Sequence, residues 1–88
     1  MEKFNIAHYQ KSGSMWFVNG SKLIVTENEY IVKYLFHTVA RFEIDKTIAS
    51  RIPANPINCG ICLDDGEKSI DLYFFKKTTD KLYKMLGI

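Results

Sequence analysis

Two cysteines stand three positions apart in NCGICLDDGEKSIDLYFF, residues 58–75, and Cys59-Gly-Ile-Cys62 is the pattern in this chain that most resembles chemistry. A C-x-x-C can be a redox dithiol or half of a zinc site. The redox form needs a helix N-terminus, whose dipole lowers a thiol pKa. Here Asp64-Asp65-Gly66 follows instead, and Asp65-Gly66 between two β-rich runs predicts a hairpin. Counting across it pairs Leu63 with Lys68, Ile61 with Ile70 and Cys59 with Leu72. Side chains alternate along a strand, so Cys59 joins Ile57, Ile61 and Leu63 on a buried face, while Cys62 falls on the other face beside Ser69. At roughly 3.3 Å per residue their Cα atoms lie about 10 Å apart, too far for a disulfide, which needs less than about 7 Å. Zinc would require His8 and His37, which have no ligand spacing of their own. The expectation is a small core cysteine, a half-exposed second one, and neither metal nor cofactor.

Other groups capable of chemistry are scattered. Ser12 and Ser14 flank Gly13 without forming a nucleophile elbow. Asp64, Asp65 and Glu67 crowd one turn but lack the ligand spacing of a calcium loop. Lys76, Lys77, Lys81 and Lys84 surround the last predicted helix as weak anion-binding candidates, a pattern that more often marks a solvated face. None of these forms a catalytic set, so the expectation is a protein that is not an enzyme.

The chain that must position these groups has 88 residues, enough for one domain. A net charge of +2 exerts little pull on nucleic acid, which argues against it as a partner. The apolar runs, such as Leu23-Ile24-Val25 and Met15-Trp16-Phe17-Val18, are too short to cross a bilayer. The opening MEKFNIAHYQK lacks the apolar stretch of a secretory signal. Two cysteines do not make a secreted disulfide framework, so a reduced, cytoplasmic protein is expected.

Turn signals divide the chain into hairpins. Asn19-Gly20 predicts pairing of a strand at about 14–18 with one at 21–26, with Trp16 opposite Leu23 and Val18 opposite Ser21. Glu27-Asn28 leads into a third strand, 29–36, with Val25 opposite Tyr30, Leu23 opposite Val32 and Ser21 opposite Tyr34. Trp16, Val18, Leu23, Val25, Tyr30, Val32 and Tyr34 then share a core face. The opposite face carries Met15, Phe17, Lys22, Ile24, Ile31, Lys33 and Leu35, the candidate interaction surface. A fourth strand, TVARFEI, turns Thr38, Ala40, Phe42 and Ile44 inward and Val39, Arg41 and Glu43 outward. TIASRI is a short fifth strand, PANPIN a loop, and the sixth and seventh strands flank Asp65-Gly66. TTDKLYKMLGI reads as a helix capped by Thr78 or Thr79, with Asp80 in its first turn, an apolar stripe of Leu82, Met85 and Leu86, and Gly87 at its C-terminus. Residues 1–13 fit a helix or a strand equally, and 14–88 form the domain.

Seven short antiparallel strands and one C-terminal amphipathic helix resemble the pleckstrin-homology-like superfold, in particular its small GRAM-like and bacterial PH-like members. The resemblance is carried by GSKLIVTENEYIV, by FEIDKTIASRI, and by SIDLYFFKKTTDKLYKML, and it spans residues 14–88. It implies a mainly β fold: a seven-stranded antiparallel barrel of two roughly orthogonal sheets, capped by the helix with Leu82, Met85 and Leu86 as the plug. It also implies a protein-interaction or assembly module. Some members grip phosphoinositides through a long basic loop between their first two strands. Here that loop is only Asn19-Gly20 with Lys22 nearby, which argues against that ligand. A protein partner or self-association is expected. Met15, Phe17, Ile24, Ile31 and Leu35 form a patch that requires cover, either from Phe4, Ile6 and Tyr9 or from a second copy in a homodimer.

Overall fold

Glu27-Asn28 makes the two-residue turn its sequence predicts. Thr26 accepts the Glu29 amide on its Oγ1 at 2.9 Å, closing the turn. The strands on either side, β4 (Ser21–Val25) and β5 (Glu29–Tyr34), pair with Val25 opposite Tyr30, Leu23 opposite Val32 and Ser21 opposite Tyr34. This computed structural model describes residues 2–11, 14–16, 20–52 and 58–88, without the side chains at 8, 11, 14–16 and 58. The expectations for Phe17, Val18, Asn19 and Ile57, and for the side chains of Met15 and Trp16, lie outside the described residues.

Before that hairpin come β1 (Glu2–Asn5), β2 (His8–Lys11) and β3 (Ser14–Trp16). After it come β6 (His37–Glu43), a 3-10 turn at Ile44–Lys46, β7 (Ile48–Ile52), β8 (Asn58–Asp64), β9 (Ser69–Phe75) and α1 (Lys76–Leu86). The molecule is mainly β, with one four-stranded sheet in the order β1-β4-β5-β6 and one five-stranded sheet in the order β3-β2-β9-β8-β7, both antiparallel. The two sheets are separate hydrogen-bonded ladders among the described residues, and the strands number nine rather than seven. The helix is too short to cross a membrane, and none of the described residues forms a longer one.

The predicted pairing of Trp16 with Leu23 is not found among the described residues. β3 pairs with β2, Tyr9 opposite Trp16, while β4 takes β1 as its neighbour, Phe4 opposite Leu23. A turn signal is local and does not choose a sheet; burial does. β1 puts Phe4 beside Leu23, and β2 puts Tyr9 beside Leu72, and all four side chains are buried. Ile6, between the two strands, is buried as well, with its amide bonded to the Ser21 carbonyl at 3.0 Å. The N-terminal segment therefore supplies core, and its apolar groups do not cover the outer face.

The core lies between the sheets: Leu23, Tyr30, Val32, Ala40 and Phe42 from one, Ile61, Leu63, Ile70, Leu72 and Phe74 from the other. Burying this apolar surface is the main force holding the sheets together. Tyr34, predicted inward, is half-buried at the sheet's end. A bulge between β5 and β6 changes the register after Val32–Ala40, so Thr38 is exposed and Val39 packs against the core, reversing both expectations. β8 and β9 pair with Leu63 opposite Ile70 and Ile61 opposite Leu72. That register differs from the predicted one by two residues because Gly66-Glu67, flanked by an Asp65–Lys68 backbone bond, makes the turn. A slip of two preserves side-chain parity, so the buried face is the one expected.

The helix starts earlier than predicted, at Lys76, and Phe75 at its N-cap offers no side-chain bond. Thr79 caps nothing. It is fully buried, and its hydroxyl donates to the carbonyls of Phe75 (3.2 Å) and Cys59 (3.3 Å), joining the helix to β8. Tyr83 donates its hydroxyl to the Gly60 carbonyl beside it. Gly60 also allows the β9 backbone to lie close, since a Cβ there would run into the Leu72 carbonyl oxygen. The inward stripe is Thr79 and Leu82, both buried, with Tyr83 and Leu86 partly buried beside them, and Met85 lies outside it, exposed. Gly87 ends the helix at φ 72°, as its position predicts.

Candidate functional site

The outer face of the first sheet is built by alternation. In β1, β4 and β5, every side chain between two inward ones points outward. One row across the strands is Lys3, Ile24, Ile31 and Arg41; the next, toward the β5–β6 turn, begins Asn5, Lys22 and Lys33. Beyond this row the sheet ends in Gly20 and in Leu35-Phe36, a two-residue turn between Tyr34 and His37. Leu35 was expected to continue the strand. It instead takes φ 54°, a left-handed conformation that costs a leucine about 1–2 kcal/mol. Gly20 makes room for it: its φ of 92° suits only glycine, and an added Cβ would lie 3.1 Å from the Leu35 Cδ2. Leu35 is 61% exposed and Phe36 96% exposed, an apolar tip in water.

Lys3, Lys22, Lys33, Ile24, Gly20, Leu35 and Phe36 together line a shallow depression of about 400 Å³ that contains no acidic group. None of the three lysines is in a salt bridge among the described residues. Lys22 and Lys33 face each other directly across the ladder, a like-charge pairing that disfavours the fold slightly. Of the predicted surface, Lys22, Ile24, Ile31, Lys33 and Leu35 are thus brought onto one face. Met15 is placed by its backbone in the other sheet, opposite Gln10, so it does not belong to this surface. Lys3 and Phe36 are the members that the sequence did not single out. Alternation of Phe4 and Ile6 gave a faint strand signal for Lys3; nothing marked Phe36 as a turn.

The predicted lysines of α1 divide. All four are exposed, but Lys76 is paired with Asp80 at 3.2 Å. Lys77 and Lys81 line a second depression with Lys3, and the Lys81 ammonium lies 5.9 Å from the centre of the Phe4 ring. Lys84, in the last turn, joins neither depression.

The same outer face has a different character at its far end. Arg41 donates Nη1 to both carboxylate oxygens of Glu29, at 3.2 and 3.4 Å, and Lys46 pairs with Glu43 at 3.3 Å. The β8–β9 turn meets this end. There Asp65 accepts the Glu67 and Lys68 amides and the Lys68 ammonium, all within 3.0 Å. The bond from Lys68 is the main reason its carboxyl is held down at about 2. Asp64 accepts the Gly66 amide at 2.8 Å, so these aspartates serve the turn.

Cys59 and Cys62 are free thiols, each half-buried. Cys59 shares the parity of Ile61 and Leu63 and lies at the margin of the core, less enclosed than expected. Cys62 faces Asp71 on β9 rather than Ser69, a consequence of the two-residue shift. Burial, and then the Asp71 carboxylate, pushes its thiol up to about 11, the opposite of an activated cysteine. No family model, no curated protein and no solved structure matches this chain.

Proposed function

We propose that this protein is a non-enzymatic interaction module of the pleckstrin-homology-like kind, a barrel of two roughly orthogonal sheets plugged by its C-terminal helix, and that it binds through the lysine end of the first sheet's outer face. Two antiparallel sheets around one core, with α1 packed on β8 and β9, support the architecture. A reducing, cytoplasmic setting belongs to the same reading. The observation that carries the binding role is the Leu35-Phe36 tip. Two large apolar groups stand in water at a turn where polar residues or glycine would cost less in both strain and hydration.

Self-association through this face is disfavoured by its charge. Two copies meeting there would oppose Lys3, Lys22 and Lys33 of one to the same lysines of the other, with no carboxylate in the depression to separate them. The partner of this surface is a different molecule. A photoreactive phenylalanine derivative placed at position 36, and at position 67 for comparison, tests the assignment inside the cell. Covalent adducts, to protein or lipid, are expected at 36 well above those at 67; equal yields would overturn it.

A further inference from the structure

Resting on that reading of the surface, we propose that its partner is an anionic lipid bilayer, which the β5–β6 hairpin enters tip first. The shape and the charge of the site point the same way. Phe36 and Leu35 stand exposed at the end of a sheet, and the depression they help to line is too shallow to enclose them, so they suit a fluid apolar medium that needs no matching shape. The cations come next along the strands. Lys22 and Lys33 lie two residues behind the tip, about 7 Å at roughly 3.3 Å per residue, and Lys3 sits one row further, about 13 Å behind it. Amphipathic anchors bury their apolar groups about 5–10 Å deep, at the boundary of headgroups and acyl chains. With Phe36 at that depth, Lys22 and Lys33 reach the phosphates and Lys3 the outer headgroup layer. All three ammonium groups are free of carboxylate partners among the described residues, so binding breaks no ion pair.

An acidic protein would satisfy the lysines but leave Phe36 requiring a pocket placed to receive a convex tip. Single-stranded nucleic acid could stack on Phe36 but offers nothing to Leu35. The bilayer meets both demands at once. Each lysine near an anionic surface contributes a factor of about five to partitioning, and burial of one phenylalanine about tenfold or more.

The test is co-flotation of the purified full chain, at low salt, with vesicles of equal parts phosphatidylserine and phosphatidylcholine, and with vesicles of phosphatidylcholine alone. Binding is expected to the first and not to the second. Phe36→Ser should weaken it about tenfold or more, and Lys22→Ala with Lys33→Ala about 25-fold, whereas Lys46→Ala leaves it unchanged. Phe36 and both lysines lie on the surface, so circular dichroism should show these variants folded. Nitroxide-labelled lipid should broaden the backbone amide signals of Leu35 and Phe36 and spare Gly66. Failure to float with phosphatidylserine, equal binding to both vesicles, or indifference to Phe36→Ser would each overturn the proposal. So would tighter binding to a single-stranded RNA or to polyglutamate. If inorganic phosphate alone displaces the chain and the amides at the tip do not broaden, the lysines form a soluble-anion site and the insertion is wrong. Vesicle failure with persistent protein adducts at position 36 would refute the bilayer while leaving the interaction surface standing; loss of both would refute the two together.

Discussion

The two ends of one sheet face are made by the same strands and the same alternation, yet they are chemically opposite. At one end Glu29, Arg41, Glu43 and Lys46 neutralise each other in ion pairs, and the Asp65–Lys68 turn lines the same depression. At the other, Lys3, Lys22 and Lys33 are unpaired among the described residues, next to two exposed apolar side chains on a left-handed turn. The first arrangement is self-contained. The second gains nothing for the fold and costs it a little through the Lys22–Lys33 repulsion and the Leu35 backbone. That imbalance is what motivates the proposed binding role of this end.

The contrast requires that stability come from the core and not from the lysine end. The largest effect is therefore expected at the helix. Leu82 is completely buried, and Leu82→Ala should cost about 2–5 kcal/mol in urea melts, with Leu86→Ala costing less because Leu86 is only partly buried. Thr79→Val keeps the shape but removes the bonds to the Cys59 and Phe75 carbonyls; a loss of about 1–2 kcal/mol is expected by the same measurement. A value near zero for both Leu82→Ala and Thr79→Val would mean that the helix is not docked as described.

The next effect reverses sign between the two ends. Lys33→Glu converts the cross-strand repulsion with Lys22 into attraction and should raise stability by roughly 0.5–1 kcal/mol. Arg41→Ala removes a pair with Glu29 and should lower it by up to about 1 kcal/mol. Melts in which both changes destabilise equally would erase the distinction between the ends.

Strong acid should act on the paired end. The Asp65 carboxyl is held at about 2, below its ordinary 3.8, so its contribution is present above pH 3.8 and is lost as pH falls through about 2. The difference in stability between the native protein and Asp65→Asn should therefore shrink across that window, and a carboxyl carbon titration by NMR should place the midpoint near the lower value. The smallest effect concerns Cys62. With its thiol pushed up to about 11, iodoacetamide at pH 8 should modify it about tenfold or more slowly than in the urea-unfolded chain. Equal rates would contradict the burial beside Asp71.

Much of the fold could be read wherever one physical rule dominated. The β4–β5 register followed from a two-residue turn, and the buried face of β8 and β9 survived a register error because strand parity has period two. The helix C-terminus followed from Gly87. What stayed hidden depended on distant partners. Asn19-Gly20 signalled a hairpin, but burial of Phe4 beside Leu23 recruited β1 to that edge. The bulge after Val32 left no mark in the sequence. Leu35-Phe36 was unreadable as a turn because leucine and phenylalanine extend strands far more often than they reverse them. The candidate site was accordingly legible only in its strand-borne part, Lys22, Ile24, Ile31 and Lys33. Lys3 and Phe36 came into view with the fold.

The most direct test of the division between the ends is to measure stability and vesicle binding side by side on Phe36→Ser and Arg41→Ala. Phe36→Ser should melt within about 0.5 kcal/mol of the native protein, as a surface substitution does, while losing most of its binding to phosphatidylserine vesicles. Arg41→Ala should show the reverse, full binding with a small loss of stability. A Phe36→Ser protein that binds as before, or that owes its lost binding to unfolding, would contradict the account.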